Sequence, residues 1–232
     1  KVINDGTFDY RQEPLIMVIC TDITERHLAE EQIIYLSYHD KLTSLFNRAY
    51  IESILPQYND SCYFPFSVVL GDMNGLKLTN DVFGHKEGDK LLVNMANVLQ
   101  GCCRDGDIVA RWGGDEYLLL LPNTDHDSCQ TLCARIREIC KQFKWDPIDL
   151  SISLGCATQN VADLDFTELF SRAENEMYKN KSFESCEIKE RILKSIEKIL
   201  ENKCRETKDH INRYYELITG VYERLVPNLT EK

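Results

Sequence analysis

Apolar residues recur along the chain in two periods, one suited to strands and one to helices. Residues 14–22, Pro-Leu-Ile-Met-Val-Ile-Cys-Thr-Asp, form a β-branched apolar run that reads as a strand. Asp22 or Thr24 then stands where a helix over 23–38 would be capped. That helix carries Leu28, Ile34 and Tyr35 among Glu and Arg, is too short to be stable alone, and must pack against something. Asp40 opens a further helix through about 44–55, which Pro56 should stop. Phe66 to Leu70 is a short apolar strand, and residues 86–102 place Leu91, Leu92, Met95, Ala96, Val98 and Leu99 at helical spacing. Ile108 to Trp112 and Tyr117 to Leu121 read as two strands around Gly113-Gly114. A two-residue Gly-Gly link is a hairpin signal because both turn positions need φ > 0. Residues 126–143 are helical, Leu150 to Ala157 a strand, and 166–181 helical. Two amphipathic segments close the chain, one over 187–204 on Ile188, Ile192 and Ile196, one from Ile211 to Leu225. The expected fold class is α/β, an α+β sandwich of helices on a sheet with helical N- and C-terminal extensions.

Composition narrows the class. The 232 residues suit one domain with extensions, or two small ones. A chain of this length buries roughly 70% of its unfolded surface and needs no disulfide staples. The net charge of −11 argues against a nucleic-acid binder, which would present a basic face to phosphates. The longest apolar run, Leu15 to Cys20, is far too short for a membrane span and is no signal peptide. The chain opens at Lys1 rather than Met and is expected to be part of something longer, with any sensor or membrane span outside it. The ten cysteines show no Cys-x-x-Cys and are expected to be small buried hydrophobes in a reducing cytoplasm, with Cys129, Cys133 and Cys140 on one helix face.

Carboxylates gather where strands end. Asp72 and Asn74 lie two apart, so on extended backbone they face one side. Asp115 and Glu116 follow the paired glycines, and if the two strands are neighbours they converge on Asp72. Converging carboxylates repel unless a cation sits between them, and an oxygen-only set suits Mg²⁺ or Mn²⁺. Gly113 and Gly114 would let a phosphate approach the backbone. Gly-Gly-Asp-Glu alone equally describes a surface turn with solvated acids. Asn80 to Asp89 is dense in polar groups just before a helix. Asp accepts two donors and Asn both gives and takes, so the pair can read a guanine edge, or simply form a polar loop.

Taken together, these segments resemble the GGDEF family, the diguanylate cyclases. Asp40-Lys-Leu-Thr-Ser-Leu-Phe-Asn-Arg48 resembles the family's opening motif, and Asp72-Met-Asn-Gly-Leu-Lys-Leu-Thr-Asn-Asp81 its first acidic segment. Phe83-Gly-His-Lys-Glu-Gly-Asp89 and the signature Arg111-Trp-Gly-Gly-Asp-Glu-Tyr117 follow in register, with Tyr where Phe is usual. The resemblance covers roughly 39–184. It implies a fold like the class III nucleotide cyclases and polymerase palms, a central mostly antiparallel sheet flanked by helices. It also implies a reaction: two GTP condense into cyclic di-GMP and two pyrophosphates, in a homodimer with its two sites face to face. Asp72, Asp115 and Glu116 would hold Mg²⁺ or Mn²⁺, with the Met73 carbonyl as an added ligand, and Glu116 could deprotonate the 3′-hydroxyl. Lys77 would stabilise phosphoryl charge, Asn80 and Asp89 would read guanine beside His85, and Lys181 would bind the triphosphate. Arg104-Asp-Gly-Asp107 matches the family's inhibitory motif, so Arg104 and Asp107, with Arg135 contributing, would bind the product. Without that register, Arg104 to Asp107 is a charged turn.

The sequence departs from the pattern in places. Asn74 stands where many members have Asp, and Leu76 where they have Phe. After Lys181 the family continues with an Arg that would assist on the phosphates, whereas this chain reads Ser182-Phe-Glu-Ser-Cys-Glu187. Residues 1–24 resemble the end of a PAS sensor domain, 25–38 its signalling helix, and 185–232 a helical extension or the start of a further domain. An active, product-inhibited cyclase is the leading expectation. The alternative is a silent module that binds GTP or cyclic di-GMP and regulates a neighbouring domain.

Overall fold

The computed structural model describes residues 3–10, 13–19, 22–142, 149–162, 165–182 and 215–219. The helix expected over 187–204 lies outside the described residues. Of the one expected over 211–225, residues 215–219 are described, and they are helical.

Strands β1 (Ile3–Tyr10) and β2 (Glu13–Ile19) pair antiparallel, so the first apolar run has a partner ahead of it. Helix α1 (Thr24–Tyr38) follows, with no buried residue; Leu28, Ile33 and Ile34 are each more than half exposed. Its N-cap is Ile23, not Asp22 or Thr24. The Asp22 carboxylate instead accepts the Thr24 N–H at 2.9 Å, closing the turn before the helix. At its end Tyr38 meets Tyr50 edge-on.

A five-stranded sheet organises the rest, in the order β3 (Phe46–Asn47), β5 (Ile108–Arg111), β6 (Glu116–Leu121), β4 (Phe66–Met73), β7 (Ile152–Gln159). β3 runs parallel to β5 and the other pairs are antiparallel, which is the mostly antiparallel sheet expected. α4 (His85–Cys102) and α5 (His126–Gln142) cover one face, over Val69, Tyr117, Leu119 and Leu154. α2 (Arg48–Ile54) and α6 (166–182) cover the other, over Val68, Leu70, Leu118 and Leu120. Both faces are therefore dry. This is why the central strands read as continuous apolar runs rather than alternating ones. Each fully buried Leu or Phe contributes about 1.5–3 kcal/mol.

Several boundaries differ from the sequence reading. Asp40 caps a turn, accepting the Thr43 N–H and hydroxyl, and α2 starts only at Arg48 under an Asn47 cap. Its C-terminus is as expected: the helix ends at Ile54, two residues before Pro56, which sits in the first turn of a 3₁₀ segment, Leu55–Asn59, where its missing N–H costs nothing. β4 runs three residues further, through Met73, and β7 lies two residues later than expected. The Gly-Gly link is not a two-residue turn. β5 ends at Arg111 and β6 starts at Glu116, with the Trp112 and Gly113 N–H groups both donating to the Glu116 carbonyl. Among the described glycines, positive φ falls instead at Gly75, Gly84 and Gly106. Gly75 and Gly84 bracket α3 (Leu76–Phe83), a helix whose second half overlaps the Asn80 to Asp89 segment read as polar. Cys102, Cys129, Cys133, Cys140 and Cys156 are buried free thiols, as expected, whereas Cys62 is exposed and Cys103 half-buried. Among the described residues, no helix is long and apolar enough to cross a membrane.

Candidate active site

Register brings the acids together. β4 places Asp72 opposite Glu116 on β6 and opposite Ser153 on β7. Alternation along β4 puts Asp72 on the same side as Val68 and Leu70, the side covered by α6. On α6, Leu169, Ala173 and Met177 repeat every fourth residue and are all buried, and Lys181 continues that stripe to the strand end. Its ammonium donates to Asp72 Oδ2 at 2.7 Å. The helix can come this close because position 155 is Gly: a Cβ there would lie 2.2 Å from both the Ala173 carbonyl oxygen and the Met177 nitrogen.

The electrostatics of this corner are unbalanced. Asp72 is 7% exposed, and its second oxygen, Oδ1, is buried with no hydrogen-bond partner among the described residues. Burial pushes the Asp72 carboxyl above its ordinary range; Lys181 pulls it down and Asp115 pushes it up again. Glu116 is raised for the same first reason, burial, and then by the charges of Asp72, Asp115 and Glu174. Several carboxylates thus share one ammonium, and a buried carboxylate oxygen lacks a donor. An all-oxygen donor set with such an orphan fits a hard divalent cation.

Neighbouring groups hold the acids in place. The Met73 N–H donates to the Asp115 carbonyl at 2.9 Å, tying the turn to the end of β4, while the Met73 side chain is core. Asn74 does face the Asp72 side, but its amide is engaged at the start of β7, donating to Ser151 Oγ, just before the strand, at 3.2 Å and to Ser153 Oγ at 3.0 Å. Tyr117 is fully buried and its hydroxyl donates to the Leu92 carbonyl at 2.9 Å, which gives the polar atom a partner inside the core. Arg111, to which the sequence reading gave no role, is a two-way clamp. Nε and Nη2 donate to the Gly114 carbonyl at 3.1 and 2.7 Å, and Nη1 to Asp40 Oδ1 at 3.1 Å. Glu174 and Ser153 were missed as well: the β4–β7 register places Ser153 opposite Asp72, and Glu174 follows Ala173 of the buried α6 stripe.

Asn80, His85 and Asp89 sit together at the corner between α3 and α4. The Asn80 backbone carbonyl accepts the Gly84 N–H, while its side-chain oxygen is buried with no hydrogen-bond partner among the described residues. That oxygen lies over Gly88, where a Cβ would approach it to 2.0 Å. His85 and Asp89 are exposed one turn apart on α4, and Lys77 is exposed in the first turn of α3.

Arg104 and Asp107 are placed in direct contact. Arg104 donates through its N–H to Asp107 Oδ2 at 3.0 Å and through Nε to Oδ1 at 3.2 Å. Its Nη2 reaches the Pro122 carbonyl at 2.6 Å and Thr124 Oγ1 at 2.7 Å. Arg135, on α5, donates to the Cys102 carbonyl at the end of α4.

Comparisons with known proteins agree with this geometry. The family described as "Diguanylate cyclase, GGDEF domain" matches residues 37–185. The Diguanylate cyclase DgcM of Escherichia coli K12 is 32% identical over 181 residues, which is 76% of this chain and 44% of that protein. The chain spans less than half the length of the curated relatives it matches. Among solved structures, the coiled coil and GGDEF domain of DgcB from Caulobacter crescentus in complex with c-di-GMP superimposes with a TM-score of 0.62 at 20% identity, covering 69% of this chain and 88% of that one; it shows the fold. A microbial GGDEF domain studied for its interaction with cyclic di-GMP reaches 0.56 at 30% identity, covering 64% of this chain and 93% of that one.

Proposed function

The chain belongs to the GGDEF diguanylate cyclase family, and from that premise we propose that it condenses two GTP into cyclic di-GMP with release of two pyrophosphates. The observation that carries the proposal is the pairing of Asp72 with Glu116 across β4 and β6, with one Asp72 oxygen buried and unbonded. Asp72, Asp115 and Glu116, with the Met73 carbonyl, would hold Mg²⁺ or Mn²⁺. When bound, such an ion lowers the pKa of the 3′-hydroxyl and neutralises charge on the departing pyrophosphate.

The chain's own groups do the rest. Asp89 accepts from the guanine N1–H and 2-amino group, and Asn80 supplies a donor and an acceptor at the remaining edge, with His85 beside them. Asn80 Oδ1 is already desolvated, so a guanine donor would satisfy it at little further cost. Lys77 stabilises phosphoryl charge. Lys181 exchanges its bond to Asp72 for the triphosphate. Glu116, raised by burial and then by its acidic neighbours, is suited to accept the 3′-hydroxyl proton. Each chain binds one GTP, so a homodimer presents the two reactants to each other. α1 is the pairing helix in this reading, following a PAS-derived segment over 1–24. The catalytic domain spans 39–184, and 185–232 extends it. Arg104, Asp107 and Arg135 bind the product and inhibit the enzyme. The reaction belongs to the cytoplasm, where GTP is made.

The test is incubation of the chain with GTP and Mg²⁺, scoring cyclic di-GMP and pyrophosphate by chromatography. Both products appearing together supports the cyclase. Their absence at protein concentrations where the chain is dimeric overturns it. One observation favours the second reading, a silent nucleotide-binding module: Lys181 is engaged on Asp72, and no Arg follows it at Ser182 to Glu187. Such a module would bind cyclic di-GMP or GTP at equilibrium without forming pyrophosphate.

A further inference from the structure

Three thiols meet on the α4/α5 side of the sheet, the opposite side from Asp72. Cys129 and Cys133 stand one turn apart on α5, and Cys156 points at them from β7. Their sulfurs all lie within 4.8 Å of one another. They are 0%, 2% and 4% exposed, and all are free thiols. Filling a core with small hydrophobes does not require sulfurs from two elements to converge on one point; Ala or Val would occupy the same space. Three sulfurs bound at about 2.3 Å to one ion in a plane lie roughly 4 Å apart, so the trio is within an ångström of a ligand set.

The surroundings suit thiolates. The Arg137 guanidinium brings a positive charge to Cys133, partly offset by the Glu176 carboxylate. The Arg137 guanidinium also donates to the Leu154 carbonyl at 2.9 Å, two residues from Cys156. Glu176 accepts the Cys156 N–H at 2.9 Å and fixes the strand on its other side.

We propose that Cys129, Cys133 and Cys156 form a three-thiolate site for a soft d¹⁰ cation, Zn²⁺ or Cu⁺. Sulfur donors distinguish it from the oxygen site at Asp72, which selects hard ions. A bound ion would clamp α5 onto β7, the strand whose Ser153 flanks Asp72. Because the sulfurs are buried, the ion enters as the chain folds or as α5 opens transiently.

The reduced full chain is the material for the test, with metal supplied both to folded protein and during refolding. Zn²⁺ in competition with a chromophoric chelator gives stoichiometry, and Co²⁺ reports thiolate ligation through its charge-transfer absorption. One equivalent bound in either arm, with an intense thiolate band, is expected. Cys133→Ala and Cys156→Ala should each weaken binding by about 10-fold or more, while Cys62→Ser, at an exposed thiol, should change nothing. X-ray absorption on the metal-loaded wild type keeps the test decisive if an alanine variant misfolds: a shell of three sulfurs supports the site. A shell of nitrogen and oxygen overturns it, as does the absence of binding in both arms, or a band that survives Cys133→Ala. The parallel arm with Cu⁺ identifies the preferred ion.

Discussion

The β5–β6 hairpin carries a charged cluster at each end, and the two ends solve opposite problems. At its turn, Glu116 and Asp115 crowd Asp72 in a buried corner, two carboxyls are pushed up, and an oxygen has no donor. At its open end, Arg104 binds Asp107, the Pro122 carbonyl and Thr124, and the Asp107 side chain is only 5% exposed. A cation arriving at the turn would join groups that lack partners. A ligand arriving at the open end must exchange existing bonds for its own. The first end stores unfavourable electrostatics that binding relieves; the second contributes to the fold whether or not anything binds. Unbalanced charge is therefore the better pointer to chemistry, and a satisfied ion pair needs a functional assay before it counts as a site.

Substitutions at each end test this contrast. The largest effect is expected from Glu116→Gln, which should lower product formation by on the order of 10²–10³-fold. The same change should raise the thermal midpoint of the metal-free chain by about 2 °C, since it removes a repelled carboxylate. Chromatography and calorimetry on one preparation read both; a lowered midpoint would break the comparison. Next, Arg104→Ala should destabilise the chain by about 1–3 kcal/mol in urea, because the Asp107 carboxylate and the Pro122 carbonyl lose their donor. It should also abolish inhibition by added cyclic di-GMP. Unaltered stability would reduce Arg104 to a surface residue, and unaltered inhibition would remove the product site. Smaller still, Lys181→Met should weaken GTP binding by about 10-fold, measured by calorimetric titration, while circular dichroism stays unchanged.

The smallest effect is in pH dependence. Asp72 and Glu116 hold protons more tightly folded than unfolded. Their stabilising contribution is complete below the ordinary carboxylate range and is lost as pH rises through their raised folded values. Asp40 has the opposite sign: its carboxyl is lowered, burial being outweighed by bonds from Thr43 and Arg111, so its contribution is lost as pH falls. Subtracting the Glu116→Gln stability profile from that of the wild type isolates the Glu116 part. The wild type should lose stability relative to the variant from acid toward neutral pH, and a difference of the other sign would contradict the crowding described for the turn.

What could be read from sequence follows from the range of each interaction. The long helices α4 and α5 were legible because their apolar stripes are local. The convergence of Asp72 with Glu116 was legible because both stand at the ends of apolar runs. α3 was not: its eight residues mix Lys77, Asn80 and Asp81 with four apolar positions, and only packing against α4 makes it a helix. β3 is two residues long and exists because β5 pairs with it. The hairpin turn was misread because Gly113-Gly114 offered a short link, whereas Arg111 pairs with Tyr117 and sets a longer one. The contact of Lys181 with Asp72 spans 109 positions and was not anticipated, the resemblance giving Lys181 only a triphosphate-binding role. The stripe Leu169, Ala173, Met177 could have placed that lysine on the sheet.

Gly155 has a further consequence for how this site can be lost. It bears no charge and touches no substrate, yet it sets the height at which α6 rides on the sheet. A single methyl at this position would lift the helix and carry Lys181 away from Asp72, while every acidic and basic residue of the signature stayed intact. Drift from enzyme to silent receptor could then proceed through a neutral, buried position, and an inventory of polar motifs would score the descendant as fully competent.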